Sequence, residues 1–446
     1  MINENFQKTS SPFRHLVCGT QKKAPLEGGD LKTYINFDNA ASTPPLKPVL
    51  EKINEFAPWY SSVHRGQGYK SQLSTNLYEK VRDIVAEFVN TSREKNTVIF
   101  TTNTTAAINK LAYKMQNREQ IENEKKVKKR IIITSRMEHH SNLLPWRDKF
   151  ELHYIPLTAN KKISLSGLEQ LLIKYQGQVK LLTVTGASNV TGTITPVYKM
   201  ARLAHKYGTK IHIDGAQLIP HQPFDMKPFN SYEHIDYLSF SAHKLYAPFG
   251  SGVLIGPQRT FAQNKPDYQG GGTVELVSDQ KTVWKNPPAR EEAGTPNIIG
   301  AIALGQALKT LKNNNLKNIS RYEKEISDYL TYKLKKIPEI IIYSLPDKNH
   351  KLSIIPFNIK KLSHKKTASL LAKKGIAVRS GCFCAQPYVQ KLLNISPRQV
   401  KKRIDNLNQD HPGMVRVSLG MYNTRKEIDY FLKSIKEIIG KNIPED

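Results

Sequence analysis

The fold is decided by the stretch Lys210-Ile-His-Ile-Asp-Gly-Ala-Gln217 and by Leu238-Ser-Phe-Ser-Ala-His-Lys244, which follows it. Each is a short apolar run that ends in polar residues, a pattern typical of a buried strand that delivers side chains to its carboxyl end. Similar runs begin near residue 97 and alternate with helical stretches, the order of a mainly parallel sheet covered on both faces. The sequence therefore predicts an α/β protein.

Seven strands are predicted for this sheet, at residues 97–101, 130–134, 152–156, 179–184, 210–214, 235–240 and 252–256, with helices at 103–115 and 196–207. After Gly294 the pattern changes to longer helices at 298–311 and 316–336, strands near 340–343, 353–357 and 415–418, and a final helix at 425–439. We therefore expect a large domain with the mainly parallel sheet, residues 45–295, and a smaller α+β domain, residues 21–44 and 296–446. Residues 1–20 show no periodicity and are predicted to form a loose arm.

The bulk composition sets limits on the class of protein. A chain of 446 residues can bury a large core, no apolar run is long enough to span a bilayer, and the N-terminus lacks a basic region followed by an apolar stretch. Three cysteines cannot build a disulfide framework. The expected location is therefore the cytoplasm, without a membrane contact.

The formal net charge of +29 raises the question of a polyanionic partner. Apart from the basic run at residues 125–130, the charges are scattered through helices and are not interleaved with stacking aromatic residues. We therefore expect a lysine-rich solvated surface and no specific nucleic acid partner.

Lys244 and Asp214 offer an amine and a carboxylate at the ends of two predicted strands. A lysine that forms a Schiff base with an aldehyde cofactor must lie near a carboxylate that keeps the pyridine nitrogen of that cofactor protonated. With 67 Lys and Arg residues, any single lysine is far more often a surface residue. However, Asp214, Lys244, His139 and Asn189 all follow predicted strands, and ligands of open parallel sheets bind outside those carboxyl ends. The pair therefore indicates the anchor of pyridoxal phosphate.

A series of motifs in register supports this interpretation. In chain order they are Phe37-Asp-Asn-Ala-Ala-Ser42, Ser62-Val-His-Arg-Gly66, Asn103-Thr-Thr105, Met137-Glu-His-His-Ser-Asn142, Ser188-Asn-Val-Thr-Gly192, Asp214-Gly-Ala-Gln217, Ser241-Ala-His-Lys244, Glu292-Ala-Gly-Thr-Pro-Asn297, Arg379-Ser-Gly-Cys-Phe-Cys384 and Arg416-Val-Ser-Leu-Gly-Met-Tyr-Asn423. The series resembles the SUF-type cysteine desulfurase and selenocysteine lyase branch of the class V aminotransferase-like enzymes, over residues 34 to 435. The resemblance implies a fold-type I enzyme with pyridoxal 5'-phosphate as its cofactor.

The resemblance also implies roles for residues around the cofactor ring. Lys244 resembles the Schiff-base lysine, which becomes the base that moves the substrate Cα proton. Asp214 resembles the acid paired with the pyridine nitrogen, Gln217 the donor to the phenolic oxygen, and His139 the imidazole that stacks on the ring. A metal pair at His139 and His140 is the alternative, but adjacent residues rarely converge on one ion, so we expect no metal site.

For the cofactor phosphate, the predicted helix start at residues 103–105 offers backbone N–H groups and hydroxyls, although a plain N-cap would use the same residue types. By resemblance, Thr105, with Thr104 beside it, joins Ser241 and His243 in the phosphate site. Thr295 is similar to a residue that the neighbouring subunit contributes to the phosphate site. This implies a homodimer with two shared sites.

Two arginines indicate the substrate class. Arg416 resembles the guanidinium that pairs with the α-carboxylate of the substrate, Arg379 resembles a second active-site arginine, and Asn189 resembles a residue that contacts both cofactor and substrate. A surface role is the usual interpretation of an arginine, but Arg416 stands in an otherwise apolar strand. The substrate is therefore expected to be an α-amino acid, L-cysteine by resemblance.

Cys384 decides the reaction. It aligns with the nucleophilic cysteine of the family, which takes the sulfur of the bound cysteine as a persulfide, releases alanine and can pass the sulfur to an acceptor protein. SUF-type enzymes often carry histidines at the two preceding positions, where this chain has Cys382 and Phe383. A redox pair or metal half-site at Cys382 and Cys384 stays open, as do the reactions of a selenocysteine lyase, β-lyase, epimerase or aminotransferase. The polar stretch at 394–411 is expected to alter the active-site rim.

Overall fold

The computed structural model describes residues 10–26, 29–117, 130–343, 350–406 and 411–442. Its strands are β1 (Lys23–Pro25), β2 (Leu31–Thr33), β3 (Ile35–Asn36), β4 (Asn96–Thr101), β5 (Ile131–Thr134), β6 (Glu151–Tyr154), β7 (Val179–Thr185), β8 (Lys210–Asp214), β9 (Tyr237–Ser241), β10 (Gly252–Pro257), β11 (Val274–Val277), β12 (Thr282–Trp284), β13 (Ile340–Ile342), β14 (Ile354–Ile359), β15 (Ile376–Ala377), β16 (Arg379–Gly381) and β17 (Met414–Ser418).

The α-helices are α1 (Lys47–Phe56), α2 (Tyr69–Phe88), α3 (Thr104–Asn117), α4 (Leu144–Arg147), α5 (Leu165–Lys174), α6 (Val197–Lys206), α7 (Gln258–Ala262), α8 (Ile298–Asn313), α9 (Leu316–Leu334), α10 (His364–Ala372), α11 (Gln386–Leu392), α12 (Pro397–Ile404) and α13 (Arg425–Asn442). None of the described helices is long and apolar enough to cross a membrane.

A seven-stranded sheet in the order β4-β10-β9-β8-β7-β5-β6 forms the centre of the structure. Its strands from β9 to β6 run parallel, and β10 runs antiparallel to both β9 and β4. The predicted mainly parallel sheet of seven strands is therefore confirmed, with bounds within two residues of those expected.

The strands separate two apolar cores because successive side chains point to opposite faces of a sheet. Ile131 and Ile133 of β5 lie in one core with α6, whereas Ile132 between them lies in the other core with α3. Since both faces are covered, the strands read as continuous apolar runs rather than alternating ones. Helices on both sides therefore fix the carboxyl ends of the parallel strands along a single edge.

A second sheet, in the order β13-β14-β17-β16, is antiparallel throughout. Phe431 of α13 packs edge-on against Phe357 of β14 at a centroid distance of 6.1 Å. The short parallel pair of β3 with β15 joins the chain near Ile35 to this part of the structure. The expected α+β unit is present, while the proposed domain boundaries stay a prediction.

The N-terminal segment differs from the expected loose arm. Residues 1–9 lie outside the described part, but Phe13 and Val17 are buried and Arg14 pairs with Glu427 at 2.8 Å. The hydroxyl of Ser11 also donates to the carbonyl oxygen of Met421. From residue 11 onward the prediction is therefore wrong, because two apolar side chains find a place in the core. Residues 125–129 of the basic run lie outside the described part as well.

Candidate active site

A cavity of about 570 Å³ opens at the carboxyl edge of the seven-stranded sheet. Strands β7, β8 and β9 end there at Thr185, Asp214 and Ser241, and each of these residues lines the cavity. Lys244 follows β9 after a single 3₁₀ turn, Ala242–Lys244. The edge expected to bind ligands is thus the edge that has the cavity.

The cavity holds the partly buried amine of Lys244 and the buried carboxylate of Asp214. Burial lowers the pKa of Lys244 to about 8; Arg416 acts in the same direction and Asp214 opposes it. Burial raises the pKa of Asp214, and the N–H of Ala216, which donates to Oδ1 at 3.0 Å, partly offsets this rise. The low pKa means that Lys244 keeps a neutral, nucleophilic fraction near neutral pH.

His139 faces the same space as a neutral imidazole. Burial lowers its pKa to about 3, and the charges of Lys244 and Arg416 add to this effect. Its Nδ1 atom lies 3.1 Å from the backbone N–H of Ser141, which donates to it. Nδ1 is therefore an acceptor, and the ring can present a flat uncharged face to a ligand.

The opposite end of the cavity is rich in hydroxyl groups at the start of α3. The backbone N–H of Thr104 donates to the Ser241 hydroxyl at 2.7 Å, and the hydroxyls of Thr105 and Ser141 lie 2.7 Å apart. The first turn of a helix has backbone N–H groups without intrahelical partners. Burial also lowers the pKa of His243 to about 4, so this residue is neutral at pH 7. The donors suit an oxyanion such as a phosphate.

Two arginines share one carboxylate at the rim. Asp38 lies 2.9 Å from Nη2 of Arg416 and 2.7 Å from Nη2 of Arg379, each through a different carboxylate oxygen. Arg416 is only 3% exposed, whereas the side chain of Arg379 is 53% exposed. Burial lowers the pKa of Arg416, and Asp38 opposes this shift. Asp38 therefore balances part of the charge of the two guanidinium groups.

One nitrogen of the Arg416 guanidinium has no hydrogen-bond partner in the described part of the chain. Its Nη1 donates to the carbonyl oxygen of Asn189 at 2.9 Å, while its Nε is buried and has no hydrogen-bond partner within the described ranges. A buried donor without an acceptor costs free energy, about 1–3 kcal/mol. Arg416 also lines the cavity, so its guanidinium is placed to meet a carboxylate that enters there.

The loop that carries Cys384 is held by contacts on both sides. Asn189 donates from Nδ2 to the carbonyl oxygen of Phe383 at 2.7 Å, and the N–H of His140 donates to the carbonyl oxygen of Cys384 at 2.7 Å. The N–H of Gln386 donates in turn to Nε2 of His140 at 3.2 Å. Phe383, which is 7% exposed, places its ring 4.9 Å from the guanidinium carbon of Arg416. The backbone of the loop is thus fixed while the Cys384 thiol stays exposed.

The start of this loop depends on a close backbone approach. Gly381 ends β16 opposite Met414 of β17. A Cβ atom on Gly413 would lie only 2.7 to 2.8 Å from backbone atoms of Gly381. Position 413 therefore requires glycine, because any side chain would push β16 and the loop behind it away from the sheet.

A buried polar chain runs beneath the cavity. Glu138 contacts the hydroxyl of Ser135 at 2.5 Å and accepts from Nδ2 of Asn142 at 2.6 Å. The Asn142 carbonyl oxygen accepts from Thr183 at 2.8 Å, and Thr183 contacts His212 at 2.8 Å. Burial raises the pKa of Glu138 to about 8. Glu138 is therefore a neutral carboxylic acid at pH 7.

The family model of class-V aminotransferases matches residues 35–431. The chain belongs to the class-V aminotransferase family. A cysteine desulfurase from Escherichia coli O127:H6 is 35% identical over 410 residues, which cover 90% of this chain and 92% of the relative.

Solved structures give the same grouping. The apo structure of a cysteine desulfurase from Thermococcus onnurineus NA1 matches with a TM-score of 0.80 and 31% identity, over 92% of this chain and 95% of that one. The cysteine desulfurase CsdA of Escherichia coli, in an S-sulfonic acid form, matches with a TM-score of 0.77 and 28% identity, over 92% of this chain and 95% of its own. The architecture of this member of the family is therefore that of the cysteine desulfurases.

Nearly all the residues predicted for the site line this one cavity. They are Thr104, Thr105, His139, Asn189, Asp214, Gln217, Ser241, His243, Lys244, Arg379, Cys384 and Arg416. Gln217 uses its amide Nε2 to donate to the carbonyl oxygen of Ala40 at 2.7 Å. Thr295 is exposed and lies outside the cavity lining. Their individual roles stay predictions.

Sequence reasoning assigned no role to Asp38, His140 and Phe383, although each belongs to a motif it recognised. A carboxylate beside two arginines could have been suspected in the run Phe37-Asp-Asn39, but its partners are distant in sequence. Cys382 does not line the cavity and instead contributes to a separate recess with Arg403 and His411. Cys382 and Cys384 therefore face different spaces.

Proposed function

We propose that this protein is a pyridoxal phosphate-dependent cysteine desulfurase, which converts L-cysteine to L-alanine and keeps the sulfur as a persulfide on Cys384. One observation carries the proposal: an exposed thiol, Cys384, and a partly buried amine, Lys244, line the same cavity as Arg416. An aminotransferase or epimerase needs the amine and the guanidinium but no thiol. The desulfurase relatives support the same reaction.

The residues of the cavity fit the cofactor. Lys244 offers an amine to the aldehyde, Asp214 a buried carboxylate to the pyridine nitrogen, and the start of α3 offers hydroxyls and N–H groups to the phosphate. When bound there, pyridoxal phosphate supplies an electron sink that stabilises negative charge on the substrate and lets its C–S bond break.

Lys244 is suited to move the proton of the substrate Cα. A general base works best when its pKa lies near the operating pH, and burial brings the pKa of Lys244 to about 8. His139 lies beside it as a neutral ring, because burial lowers the pKa of His139 to about 3. The imidazole therefore adds no positive charge next to the amine and can stack on the flat cofactor.

Arg416 and Arg379 are suited to bind the substrate α-carboxylate. The buried Nε of Arg416 lacks an acceptor among the described residues, and a carboxylate forms its strongest hydrogen bonds with such a planar donor edge. Asp38 orients both guanidinium groups through its two oxygens. The substrate is thus held at one end by its carboxylate, with its side chain directed toward the cysteine loop.

Cys384 takes the sulfur. Its thiolate forms an S–S bond with the sulfur of the bound cysteine while the C–S bond of the substrate breaks. The electron pair of that bond stays with the substrate carbon, which takes up a proton and leaves as part of alanine. The outer sulfur of the persulfide then passes to an acceptor thiol, which a sulfur-acceptor protein would provide at the exposed loop.

The test compares Cys384→Ala with Cys382→Ala, a matched control whose thiol lies outside the cavity. Purified holoenzyme is incubated with L-cysteine, alanine and pyruvate are quantified, and the persulfide-bearing residue is identified by mass spectrometry. We expect alanine and a persulfide on Cys384 in the wild type and in Cys382→Ala. Cys384→Ala should keep the lysine-bound cofactor absorption band but form neither product.

Two results would reject the proposal. If Cys384→Ala released alanine at the wild-type rate, the thiol would not be the sulfur acceptor. If the wild type produced pyruvate and ammonia instead of alanine, the reaction would be β-elimination.

We also propose a homodimer. Thr295 is an exposed hydroxyl residue outside the cavity of its own chain, and by the family resemblance Thr295 of the partner subunit completes the phosphate site. Sedimentation velocity of the holoenzyme should give a dimer. A monomer that retains full activity would disprove the shared site.

A further inference from the structure

Two neighbouring imidazoles contact different parts of the site. His139 lines the cavity, whereas His140, the first residue of the 3₁₀ turn His140–Asn142, lies outside the cavity lining and contacts the segment behind Cys384. The two rings are tilted by 45° with centroids 6.3 Å apart. One short turn therefore connects the space for the cofactor ring with the loop that carries the thiol.

The turn is anchored in the buried part of the structure beneath the cavity. Asn142, the last residue of the turn, donates from Nδ2 to Glu138 at 2.6 Å, and its carbonyl oxygen accepts from Thr183 at 2.8 Å. The backbone N–H of Asn142 also donates to the carbonyl oxygen of His139 at 2.9 Å. The side chain of His140 thus extends from a backbone that is fixed on both sides.

The cysteine loop has a backbone that depends on outside contacts. Phe383 and Cys384 have φ angles of 54° and 52°, in the left-handed region that costs free energy in residues other than glycine. Such conformations persist only where the surrounding structure holds them. The position of the exposed Cys384 thiol is therefore set by the contacts around the loop.

Helix α11, which follows the cysteine loop, begins without a cap of its own. Its N-cap residue is Ala385, which has no side chain that could accept a hydrogen bond. The first helical residue, Gln386, instead donates its N–H to Nε2 of His140 at 3.2 Å, and the next residue, Pro387, has no N–H. His140 therefore acts as the capping side chain, although it is 246 positions away in the chain.

This contact requires a neutral imidazole. A backbone N–H only donates, so Nε2 of His140 accepts and carries no proton. Burial lowers the pKa of His140, and the charge of Arg147 acts in the same direction, which favours the neutral ring. The backbone N–H of His140 also donates to the carbonyl oxygen of Cys384 at 2.7 Å. His140 thus holds the chain on both sides of Ala385, at Cys384 through its N–H and at Gln386 through its ring.

We propose that His140 is a positioning residue for sulfur transfer: its ring holds the start of α11 and so keeps the Cys384 thiol in reach of the substrate sulfur. This inference rests on the proposed desulfurase function. In that step the Cys384 sulfur forms an S–S bond with the substrate sulfur, the substrate C–S bond breaks, and its electron pair stays with the carbon, which takes up a proton. Alignment of these atoms depends on the loop, whereas removal of the Cα proton by Lys244 needs no thiol.

Three substitutions separate the acceptor atom from the rest of the ring. His140→Gln keeps an acceptor, because the amide oxygen of glutamine is as many bonds from Cα as Nε2 is. In His140→Asn the oxygen is one bond closer to Cα and falls short of Gln386, and His140→Ala has no acceptor. His153→Asn is the matched control, since His153 pairs with Glu151 at 2.6 Å and lies outside the cavity lining.

The full-length holoenzyme of each variant is compared with the wild type in three measurements. Rapid quenching after addition of L-cysteine, followed by mass spectrometry, gives the rate of persulfide formation on Cys384. Loss of deuterium from L-cysteine labelled at Cα gives the rate of proton removal. Amide hydrogen exchange without substrate gives the protection of the Gln386 N–H, which does not depend on activity.

We expect His140→Asn and His140→Ala to form the persulfide about 10-fold to 100-fold more slowly, because a displacement of about 1 Å at the reacting atoms costs up to about 100-fold. Deuterium loss should not slow and KM should not rise, since neither depends on the thiol. Exchange of the Gln386 N–H should become about fivefold faster, the factor that corresponds to the loss of one hydrogen bond. His140→Gln should restore most of the persulfide rate and of the protection.

The inference is overturned if His140→Asn forms the persulfide as fast as the wild type, or if His140→Gln is slowed as much as His140→Asn. A parallel fall in the rate of deuterium loss would also overturn it, because His140 would then support the whole site rather than the thiol. Absence of a persulfide in the wild type would instead reject the desulfurase function, and exchange of the Gln386 N–H would then show whether His140 holds α11. Circular dichroism checks folding, and His140→Asn and His140→Ala substitute for each other because both lack the acceptor.

Discussion

Replacement of Glu138 by glutamine should make the protein more stable at neutral pH. Burial raises the pKa of Glu138 to about 8, from 4.5 in an exposed glutamate. The folded protein therefore holds this group protonated, while the unfolded chain ionises it above pH 4.5. Glutamine has nearly the same shape, can donate to the Ser135 hydroxyl and can accept from Asn142, so it imitates the protonated form without the ionisation.

The sign and size follow from the linkage between protonation and folding. Below pH 4.5 Glu138 is protonated in both the folded and the unfolded state and does not change the free energy of unfolding. Between pH 4.5 and 8 only the unfolded chain loses the proton, so the free energy of unfolding decreases with each pH unit. One unit corresponds to about 1.4 kcal/mol, so the advantage of Glu138→Gln should reach about 3 kcal/mol at pH 7. Above the pKa of the folded state the difference should level off.

The assay is guanidinium denaturation of wild type and Glu138→Gln holoenzyme at several pH values from 5 to 9. Glu138 does not line the cavity, so the pH dependence of cofactor binding is common to both proteins and cancels in the difference. Glu275→Gln, at an exposed position in β11, is the control and should change stability little at every pH. Parallel stability curves for wild type and Glu138→Gln would refute the reasoning, since they would mean that the group ionises alike in both states.

Two further predictions concern the rim of the cavity. Asp38→Asn leaves the buried Arg416 without its ion pair, so denaturation should show a loss of stability of about 3 kcal/mol or more. The KM for L-cysteine should also rise, and an unchanged KM would contradict the role of Asp38 in positioning the two arginines. Gly413→Ala would force β16 away from β17 and misplace the cysteine loop, so kcat for alanine formation should fall by about 100-fold with the cofactor absorption band retained. Gly440→Ala, which meets no atom within 4 Å, is its control, and equal kcat values for the two variants would disprove the argument.

Sequence patterns predicted the parts of the fold that repeat a simple periodicity. Strands β8 and β9 were recognisable because they are short, rich in apolar residues and end in polar ones, and their parallel order brings Asp214 and Lys244 to one edge. The same patterns do not fix contacts that depend on how distant segments pack. Asp38 and Arg416 are separated by 378 positions, and nothing in either local sequence specifies their pairing.

Helix α12 was missed for a different reason. Residues 394–411 are mostly polar, and Pro397–Ile404 has no buried side chain and only Val400 and Ile404 as apolar residues one turn apart, which is too short a pattern to predict a helix. A signal was nevertheless present: Ser396 and Gln399 form a capping box, and a serine followed three residues later by glutamine marks a helix start.

The contacts of His205, His234 and Asp236 also carry no sequence motif. His205 is on α6, and His234 and Asp236 lie beyond β8. They meet only because α6 crosses back over the sheet and ends beside the start of the parallel strands.

The backbone of the cysteine loop limits which substitutions it can accept. Gly381, Phe383 and Cys384 have φ angles of 115°, 54° and 52°, a region that β-branched residues and proline avoid. The backbone conformation thus restricts substitution at position 383 to residues such as phenylalanine, histidine or asparagine, independently of the chemical properties of the side chain. A directed-evolution library can therefore vary only positions 382 and 383, keep Gly381, and omit valine, isoleucine, threonine and proline at 383. Such a library would avoid most misfolded members and would still explore the chemistry around the thiol.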